Sequence, residues 1–147
     1  MGKQDIKEEL LSSVKLPEGI LIREFLEEDF PSIQKLCEKE GWLSYVKREE
    51  DTLRAWKNAS IGLIALHEGK IVGLVRALTD GEITTYIAEI LIENTYRGKG
   101  IGKALLDLCQ VLYPHTRLDL LSAEKAEGFY ESNNFRKMTG FRRSPYE

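Results

Sequence analysis

The 147-residue sequence is poor in the residues that build several common kinds of site. It has two cysteines and two histidines. Neither His67 nor His115 has a cysteine or carboxylate at the spacing of a metal site or of a Cys–His nucleophile. Every apolar run is well short of the ~18 residues that a transmembrane helix needs. Repeats and low-complexity segments are also missing. We therefore expect no metal centre, no cysteine nucleophile, no membrane span and no repeat architecture.

The charge balance is mildly acidic, with a net charge of −3 and a pI of about 5.6. Nucleic acid is therefore an unexpected partner, because domains that bind it usually carry an excess of cations. Cys37 and Cys109 each lie within an apolar helical pattern, which predicts two reduced core thiols. The first sixteen residues lack the apolar core of a signal peptide. A cytoplasmic protein that interacts with neither a membrane nor a nucleic acid is the expectation.

Hydrophobic periodicity predicts an N-terminal extension, residues 1–19, that carries a short helix, followed by one domain over residues 20–147. Helices are predicted at 27–40, 42–58, 101–112 and 123–132, the second of them broken near its middle. Its aromatic face, which includes Trp42 and Tyr45, suits either the core or an acceptor pocket. Strands are predicted at 20–25, 61–67, 71–78, 86–92 and 118–121, with short closing strands at 135–137 and 141–143.

This order of elements, β-α-α-β-β-β-α-β-α-β(β), predicts an α/β domain of the α+β type. Turns at Glu68-Gly69-Lys70 and Asp80-Gly81 indicate that strands one to four form an antiparallel meander. The helix at 101–112 connects the fourth strand to the strand at 118–121, and a βαβ connection makes that pair parallel. We expect a mixed, mostly antiparallel sheet of six to seven strands with helices on both faces.

One stretch, residues 84–108, combines a buried strand, a glycine-rich turn and the start of a helix. Its centre, Arg97-Gly98-Lys99-Gly100-Ile101-Gly102-Lys103, has three alternating glycines flanked by cations. The first amides of a helix have no partner within the helix, and glycine lets a ligand approach the backbone closely. Arg97, Lys99 and Lys103 would add full positive charges. The stretch predicts a phosphate site; the alternative is a βα turn with solvated lysines.

Two familiar phosphate-binding motifs do not fit this stretch. A Walker loop, Gly-x4-Gly-Lys-Ser/Thr, aligned on Gly102 would place Arg97 at the first glycine and Ala104 at the hydroxyl residue. A dinucleotide fingerprint, Gly-x-Gly-x-x-Gly, started at Gly98 would place Lys103 at the third glycine. ATPase and dehydrogenase functions are therefore not expected.

The spacing that remains, Arg97-x-x-Gly100-x-Gly102, resembles the pyrophosphate-binding signature of the GNAT superfamily of acyl-CoA-dependent N-acyltransferases. A second segment, residues 126–135 (AEGFYESNNF), is similar to the family's Ala-x-x-Phe-Tyr-x-x-x-Gly-Phe. Asn134 stands at the glycine of that pattern, and asparagine also tolerates left-handed backbone geometry. Asn94 stands where many members have proline. With the matching order of elements, the resemblance covers residues 20–147.

The resemblance implies an N-acetyltransferase that moves an acetyl group from acetyl-CoA directly to a primary amine of a small molecule or a protein. It also implies that a backbone N–H near Leu91 or Ile92, at a bulge in the fourth strand, polarises the thioester carbonyl. The cofactor-binding residues are then Leu91, Ile92, Arg97, Gly98, Lys99, Gly100, Ile101, Gly102 and Lys103.

Two residues are candidates for the proton transfers. The resemblance assigns Tyr130 as the acid that protonates the CoA sulfur, which suits a phenol with a pKa of about 10; the alternative is a packed tyrosine on an amphipathic helix. Glu89 is a carboxylate within an apolar strand, where an unpaired charge is costly, and is the candidate base. The alternatives for Glu89 are an ion pair with Arg76 and exposure at a strand edge.

Two other functions stay open at this point. One is a non-catalytic acyl-CoA-binding sensor that contacts a partner protein. The other is transfer to a nucleic-acid-linked amine such as an aminoacyl-tRNA, which the acidic balance disfavours. The sequence leaves the acceptor, the acyl chain length and the choice between a monomer and a homodimer open.

Overall fold

Five strands form one sheet in the computed structural model, which describes residues 3–145. The strands are β1 (Ile20–Glu24), β2 (Ile61–His67), β3 (Lys70–Thr79), β4 (Thr84–Ile92) and β5 (Arg117–Leu120). The helices are α1 (Lys3–Leu11), α2 (Phe30–Glu40), α3 (Leu43–Lys47), α4 (Glu49–Lys57), α5 (Ile101–Leu112) and α6 (Glu127–Ser132). Within the described residues, no helix is both long and apolar enough to cross a membrane.

The sheet topology confirms the predicted mixed architecture. The strands lie side by side in sequence order, and β1 to β4 form an antiparallel meander. β4 and β5 pair in parallel across the α5 crossover. The β2–β3 turn has positive φ angles at Glu68 (51°) and Gly69 (78°), as a two-residue hairpin turn requires. At the β3–β4 turn, the Asp80 side chain accepts hydrogen bonds from the N–H groups of Glu82, Ile83 and Thr84.

The expected count of six to seven strands is wrong for the part of the chain described here, which has five. The two predicted closing strands, residues 135–137 and 141–143, are irregular. A strand gains stability by burying one face, and this segment is mostly in solvent, with Met138 70% and Phe141 93% exposed. Gly140 lies against Leu121, where a Cβ would meet Leu121 Cδ2 at 2.5 Å. Residues 135–143 thus form no ladder of hydrogen bonds with β5.

Each face of the sheet carries its own apolar cluster, which confirms the prediction of helices on both sides. One face packs under α1 and α5, with Val72, Leu105 and Leu108 fully buried. Leu11, Val14 and Leu16 of the N-terminal extension also pack there. The opposite face packs under α2, α3 and α4 around Ile33, Trp56, Ile64 and Leu74.

Both cysteines lie in these clusters as free, buried thiols, as predicted. Burial raises the pKa of Cys37 to about 11 and that of Cys109 to about 12. For Cys37 the Glu89 carboxylate adds to the effect of burial. Neither thiol is therefore a thiolate near neutral pH.

A β-bulge in β4 changes which face its side chains occupy. Glu89 pairs with Arg76 while Ile87 pairs with Ala77, so Ala88 is an extra residue on β4. In a regular strand, Ile87 and Leu91 would share a face. Here Ile87 packs into the cluster under α5 and Leu91 into the cluster under α2. The bulge lies at Ala88 rather than at Leu91 and Ile92, where the resemblance placed it.

Candidate active site

The candidate site begins where β4 and β5 part. The two strands are paired from Thr84 opposite Arg117 to Ile87 opposite Leu120, where β5 ends. β4 continues past its bulge to Ile92. Within residues 3–145 no other strand pairs with that side of residues 88–92. We call residues 88–92 on this side the open edge of β4.

Hydrogen bonds at the end of β4 show which backbone groups face this open edge. The N–H of Glu93 donates to the Val72 carbonyl at 2.8 Å and so points toward β3. Backbone groups alternate sides along a strand, so the Leu91 N–H points toward β3 as well and the Ile92 N–H points away from it. The Ile92 carbonyl, on the same side as its N–H, accepts a hydrogen bond from Arg97 Nε at 3.0 Å. Of the two predicted donors, Ile92 is therefore the one on the open edge.

The glycine-rich loop connects the open edge of β4 to the start of α5. Gly98 has a φ of 76° and Gly100, which caps the helix, a φ of 90°. Both values lie in the left-handed region that favours glycine, so these two glycines are required by the backbone path. α5 begins at Ile101, which leaves its first-turn amides without partners in the helix. The N-terminal extension reaches this point, since Lys15 and Pro17 line a shallow cavity with Gly100 and Lys103.

The three cations of the loop all have partners within the protein. Arg97 binds the Ile92 carbonyl and the carboxylate of Glu40. Lys103 pairs with Asp107, one turn later on α5, and Lys99 Nζ lies 5.5 Å from the centre of the Tyr96 ring. Ion pairs of such exposed groups contribute about 0–1 kcal/mol. These contacts are therefore weak ones that the three cations can exchange for other partners.

Gly102 brings the two sequence motifs together. A Cβ at this position would lie 2.9 Å from Phe129 Cζ and 3.8 Å from Ile92 Cγ1. The Phe129 ring thus packs directly on the first turn of α5, beside the end of β4. The sequence predicted that Gly102 lets a phosphate approach the backbone. In the structure, the space that a side chain at residue 102 would fill is occupied by the Phe129 ring. The glycine loop and the Phe129-Tyr130 segment are neighbours.

Tyr130 is half-buried among aromatic rings. It packs edge to face with Phe129 (centroids 5.1 Å apart, 69°) and with Phe135 (5.5 Å, 70°). Burial raises the pKa of the Tyr130 phenol, so the group is a protonated donor at neutral pH. Its own carbonyl accepts the N–H groups of Asn133 and Phe135, which closes α6. Asn134 has a φ of 70° in this turn, the left-handed geometry that its place in the motif predicts.

Glu89 lies on the α2 side of the sheet in a bidentate ion pair. Arg76 Nε donates to Glu89 Oε2 at 2.7 Å and Arg76 Nη2 to Oε1 at 2.8 Å. Glu89 is buried, and Arg76 is mostly buried. This pair is one of the alternatives that the sequence left open for Glu89.

Tyr45 of α3 is a neighbour of Glu89 that the sequence pattern did not single out from the other aromatic residues. Burial, and then the Glu89 carboxylate, raise the pKa of its phenol. Its carbonyl accepts hydrogen bonds from Gln34 Nε2 (3.1 Å) and Thr52 Oγ1 (2.9 Å), which tie α3 to α2 and α4. Tyr45 therefore sits at a defined place beside the Arg76–Glu89 pair.

Comparison with solved structures identifies the fold class. The fold matches that of a GNAT family acetyltransferase from Streptococcus pneumoniae with a TM-score of 0.72. The match covers 87% of this chain and 98% of that chain at 23% sequence identity. The two chains thus share one α/β fold, a mixed sheet with helices on both faces.

Sequence comparison identifies the family. A family model described as "Acetyltransferase (GNAT) domain" matches residues 58–137, which is more than half of the chain. The chain therefore belongs to the GNAT acetyltransferase family, which confirms the predicted resemblance. The matched range includes β2 to α6 and with them both motifs.

Two curated relatives differ from each other in the substrate that their names give. A histone acetyltransferase from Glycine max is 31% identical over 91 residues, covering 54% of this chain and 38% of the relative. A glucosamine 6-phosphate N-acetyltransferase from Trypanosoma brucei brucei is 34% identical over 77 residues, covering 46% of this chain and 52% of the relative. The chain thus spans about half or less of the length of these relatives.

Proposed function

We propose that this protein is an N-acetyltransferase that transfers an acetyl group from acetyl-CoA directly to a primary amine of a small molecule or a protein. One observation carries the proposal: in a chain of the acetyltransferase family, Phe129 packs on Gly102, so the segment that carries Tyr130 contacts the start of α5 next to Ile92. The two relatives are named for a histone and for a sugar phosphate, so the acceptor is proposed only as an amine.

The glycine loop and the open edge of β4 are the proposed cofactor site. The residues present fit an anionic cofactor, because left-handed glycines free the loop amides and cations flank them. The amides from Gly98 to Lys103, through Lys99, Gly100, Ile101 and Gly102, would hold the pyrophosphate, with Arg97 and the Lys103 ammonium in support. The Ile92 N–H would donate a hydrogen bond to the thioester carbonyl. Leu91, whose own N–H points toward β3, is proposed as part of the site because it precedes Ile92 in β4.

The reaction needs one bond made, one broken and two proton transfers. The amine nitrogen attacks the thioester carbonyl, the carbon–nitrogen bond forms, and the carbon–sulfur bond breaks. Tyr130 is the proposed donor to the departing sulfur, because its raised pKa keeps the phenol protonated. The Ile92 N–H is the proposed donor to the oxyanion that forms in between.

Glu89 is the proposed acceptor of the amine proton, directly or through a water molecule. Its bidentate pair with Arg76 holds the carboxylate in a fixed position beside the acceptor side of the sheet. Tyr45, whose phenol pKa is raised by burial and by the Glu89 carboxylate, is proposed to border the acceptor. The cytoplasm stays the proposed location, since both cysteines are free thiols.

The test is an assay of acetyl transfer from acetyl-CoA to a panel of amines. The reaction is monitored through release of the CoA thiol, and the product is identified by mass spectrometry. We expect Tyr130→Phe to lower kcat by about 10²-fold while the Kd for CoA, measured by calorimetry, stays the same, because the phenol acts only in proton transfer. Tyr113→Phe, a partly buried tyrosine at the far end of α5, is the matched control.

Three outcomes would count against parts of this proposal. Full turnover by Tyr130→Phe would remove the acid role. Tight binding of CoA with no transfer to any amine would favour the non-catalytic sensor. Glu89→Gln with unchanged kcat/KM across the pH range would remove Glu89 from the proton transfers.

A further inference from the structure

A three-residue ion bridge joins the segments that follow the two parted strands. Glu40, the last residue of α2, accepts a hydrogen bond from the Nη2 of Arg97. Arg97 lies in the loop after β4. The same carboxylate lies 3.8 Å from the Nζ of Lys125, in the turn between β5 and α6. Glu40 is 21% exposed, whereas Lys125 is largely in solvent. The Glu40 carboxylate thus binds one cation from the segment after β4 and one from the segment after β5.

A second carboxylate beside this bridge strengthens the same arrangement. Glu93, directly after β4, has a side chain that is 11% exposed and lies within 4 Å of the ammonium groups of Lys39 and Lys70. The neighbourhood therefore collects four cations around two carboxylates, on a chain whose net charge is −3. A local excess of positive charge on an acidic protein favours an anionic ligand at this place.

We propose that Glu40 occupies the position of a cofactor phosphate in the unliganded protein, and that Lys125 is a further phosphate-binding residue. The inference rests on the proposed function, because the ligand is CoA. Glu40 binds Arg97 and Lys125 through a carboxylate, which offers the same kind of oxygen acceptors as a phosphate. A phosphate carries more charge than a carboxylate, so it can displace Glu40 from both cations.

This arrangement makes Glu40 an internal competitor of the cofactor. Removing its charge frees Arg97 and Lys125 for the phosphate, so binding of CoA should become tighter. Exposed ion pairs are weak, so the expected gain for Glu40→Gln is a two- to fivefold lower Kd, about the amount that such a pair contributes. Lys125→Met should raise the Kd by a similar factor.

The experiment is calorimetric titration of the full chain with CoA at low and at 0.3 M salt. Glu38→Gln is the matched control, because it removes the same charge from the exposed side of α2, two residues from Glu40. We expect tighter binding for Glu40→Gln, no change for Glu38→Gln, and a smaller difference at high salt. Equal affinity for wild type and Glu40→Gln would overturn the inference.

The double variant Glu40→Gln/Lys125→Met separates a direct role of Lys125 from a role in holding Glu40. If Lys125 binds the phosphate, its loss still weakens binding when Glu40 has no charge. If its loss has no effect in that background, Lys125 is only a partner of Glu40 and the assignment fails. Thermal unfolding of each variant shows that the fold is retained.

Titration with dephospho-CoA identifies the phosphate. If both substitutions keep their effects, the pyrophosphate is the group bound; if both lose them, it is the 3′-phosphate, and either result supports the inference. A wild-type protein that binds no CoA would overturn the inference and the proposed function together. Binding of CoA with equal affinity by all variants would overturn the inference alone.

Discussion

We expect the fold to lose stability when only one member of the Arg76–Glu89 pair is replaced, and to lose little when both are replaced. Arg76 is 14% and Glu89 7% exposed, and each side chain satisfies the other through two hydrogen bonds. Substituting one partner by methionine leaves the other charge buried without a counter-charge. Such losses cost 3–5 kcal/mol, whereas replacing both members by apolar residues of similar volume is often neutral.

The magnitude expected here lies at the lower end of that range. In Glu89→Met, the remaining Arg76 keeps some exposure and can regain part of its hydration, so we expect a cost of about 3 kcal/mol. Arg76→Met leaves the more buried Glu89 unpaired and should cost at least as much. The double variant should lie within about 1 kcal/mol of wild type. For a domain of this size, a loss of 3 kcal/mol lowers Tm by roughly 6–12 °C.

The assay is urea unfolding followed by tryptophan fluorescence. Trp42 and Trp56 both belong to the cluster on the Glu89 side of the sheet, so they report on the region that is changed. Glu24→Gln, which breaks the exposed Lys7–Glu24 pair, is the control and should cost less than 1 kcal/mol. Single substitutions that each cost under 1 kcal/mol, with a double variant equal to their sum, would refute the reasoning.

Two other substitutions test the packing and the pH dependence of the fold. Gly73→Ala should lower the free energy of unfolding by no more than about 1 kcal/mol, because a Cβ there would lie 2.9 Å from Ile92 Cδ1, the end of a flexible side chain that has to turn away; chemical denaturation measures the loss. Gly128→Ala, with open space at its Cβ, is the control and should be neutral or stabilising. Arg23 and the Leu26 N–H lower the pKa of Asp29, so its stabilisation is present above the usual Asp pKa and is lost as pH falls through the lower folded value. Below about pH 4, Tm should therefore fall more steeply in wild type than in Asp29→Asn, and parallel curves would contradict this.

The elements that the sequence predicted correctly have local causes. α2 ends at Gly41 because that residue takes the left-handed cap, with a φ of 83°. The break in segment 42–58 falls at Arg48, between α3 and α4. The parallel β4–β5 pair follows from the helix that separates the strands. Each of these features is specified by residues close together in the chain.

The features that the sequence missed depend on contacts between distant residues. Arg97 was assigned to a phosphate from its neighbours, but its partner Glu40 is 57 residues earlier. The bulge at Ala88 depends on how β4 must divide its side chains between two clusters. The segments 135–137 and 141–143 each carry one phenylalanine, and only Phe135 packs against the core, whereas Phe141 is 93% exposed. Local pattern carries no information on any of these partners.

Gly102 shows why the two motifs have to be considered as one structural unit. Its missing side chain admits the Phe129 ring, so the position of α6 depends on the first turn of α5. Tyr130 follows Phe129 directly and packs on its edge, so the phenol is placed through the same contact. The segment proposed to supply the proton for the CoA sulfur therefore contacts the helix start proposed to hold the cofactor through one glycine. A Cβ at residue 102 would force the Phe129 ring to move away from α5, even if both motifs kept every other residue.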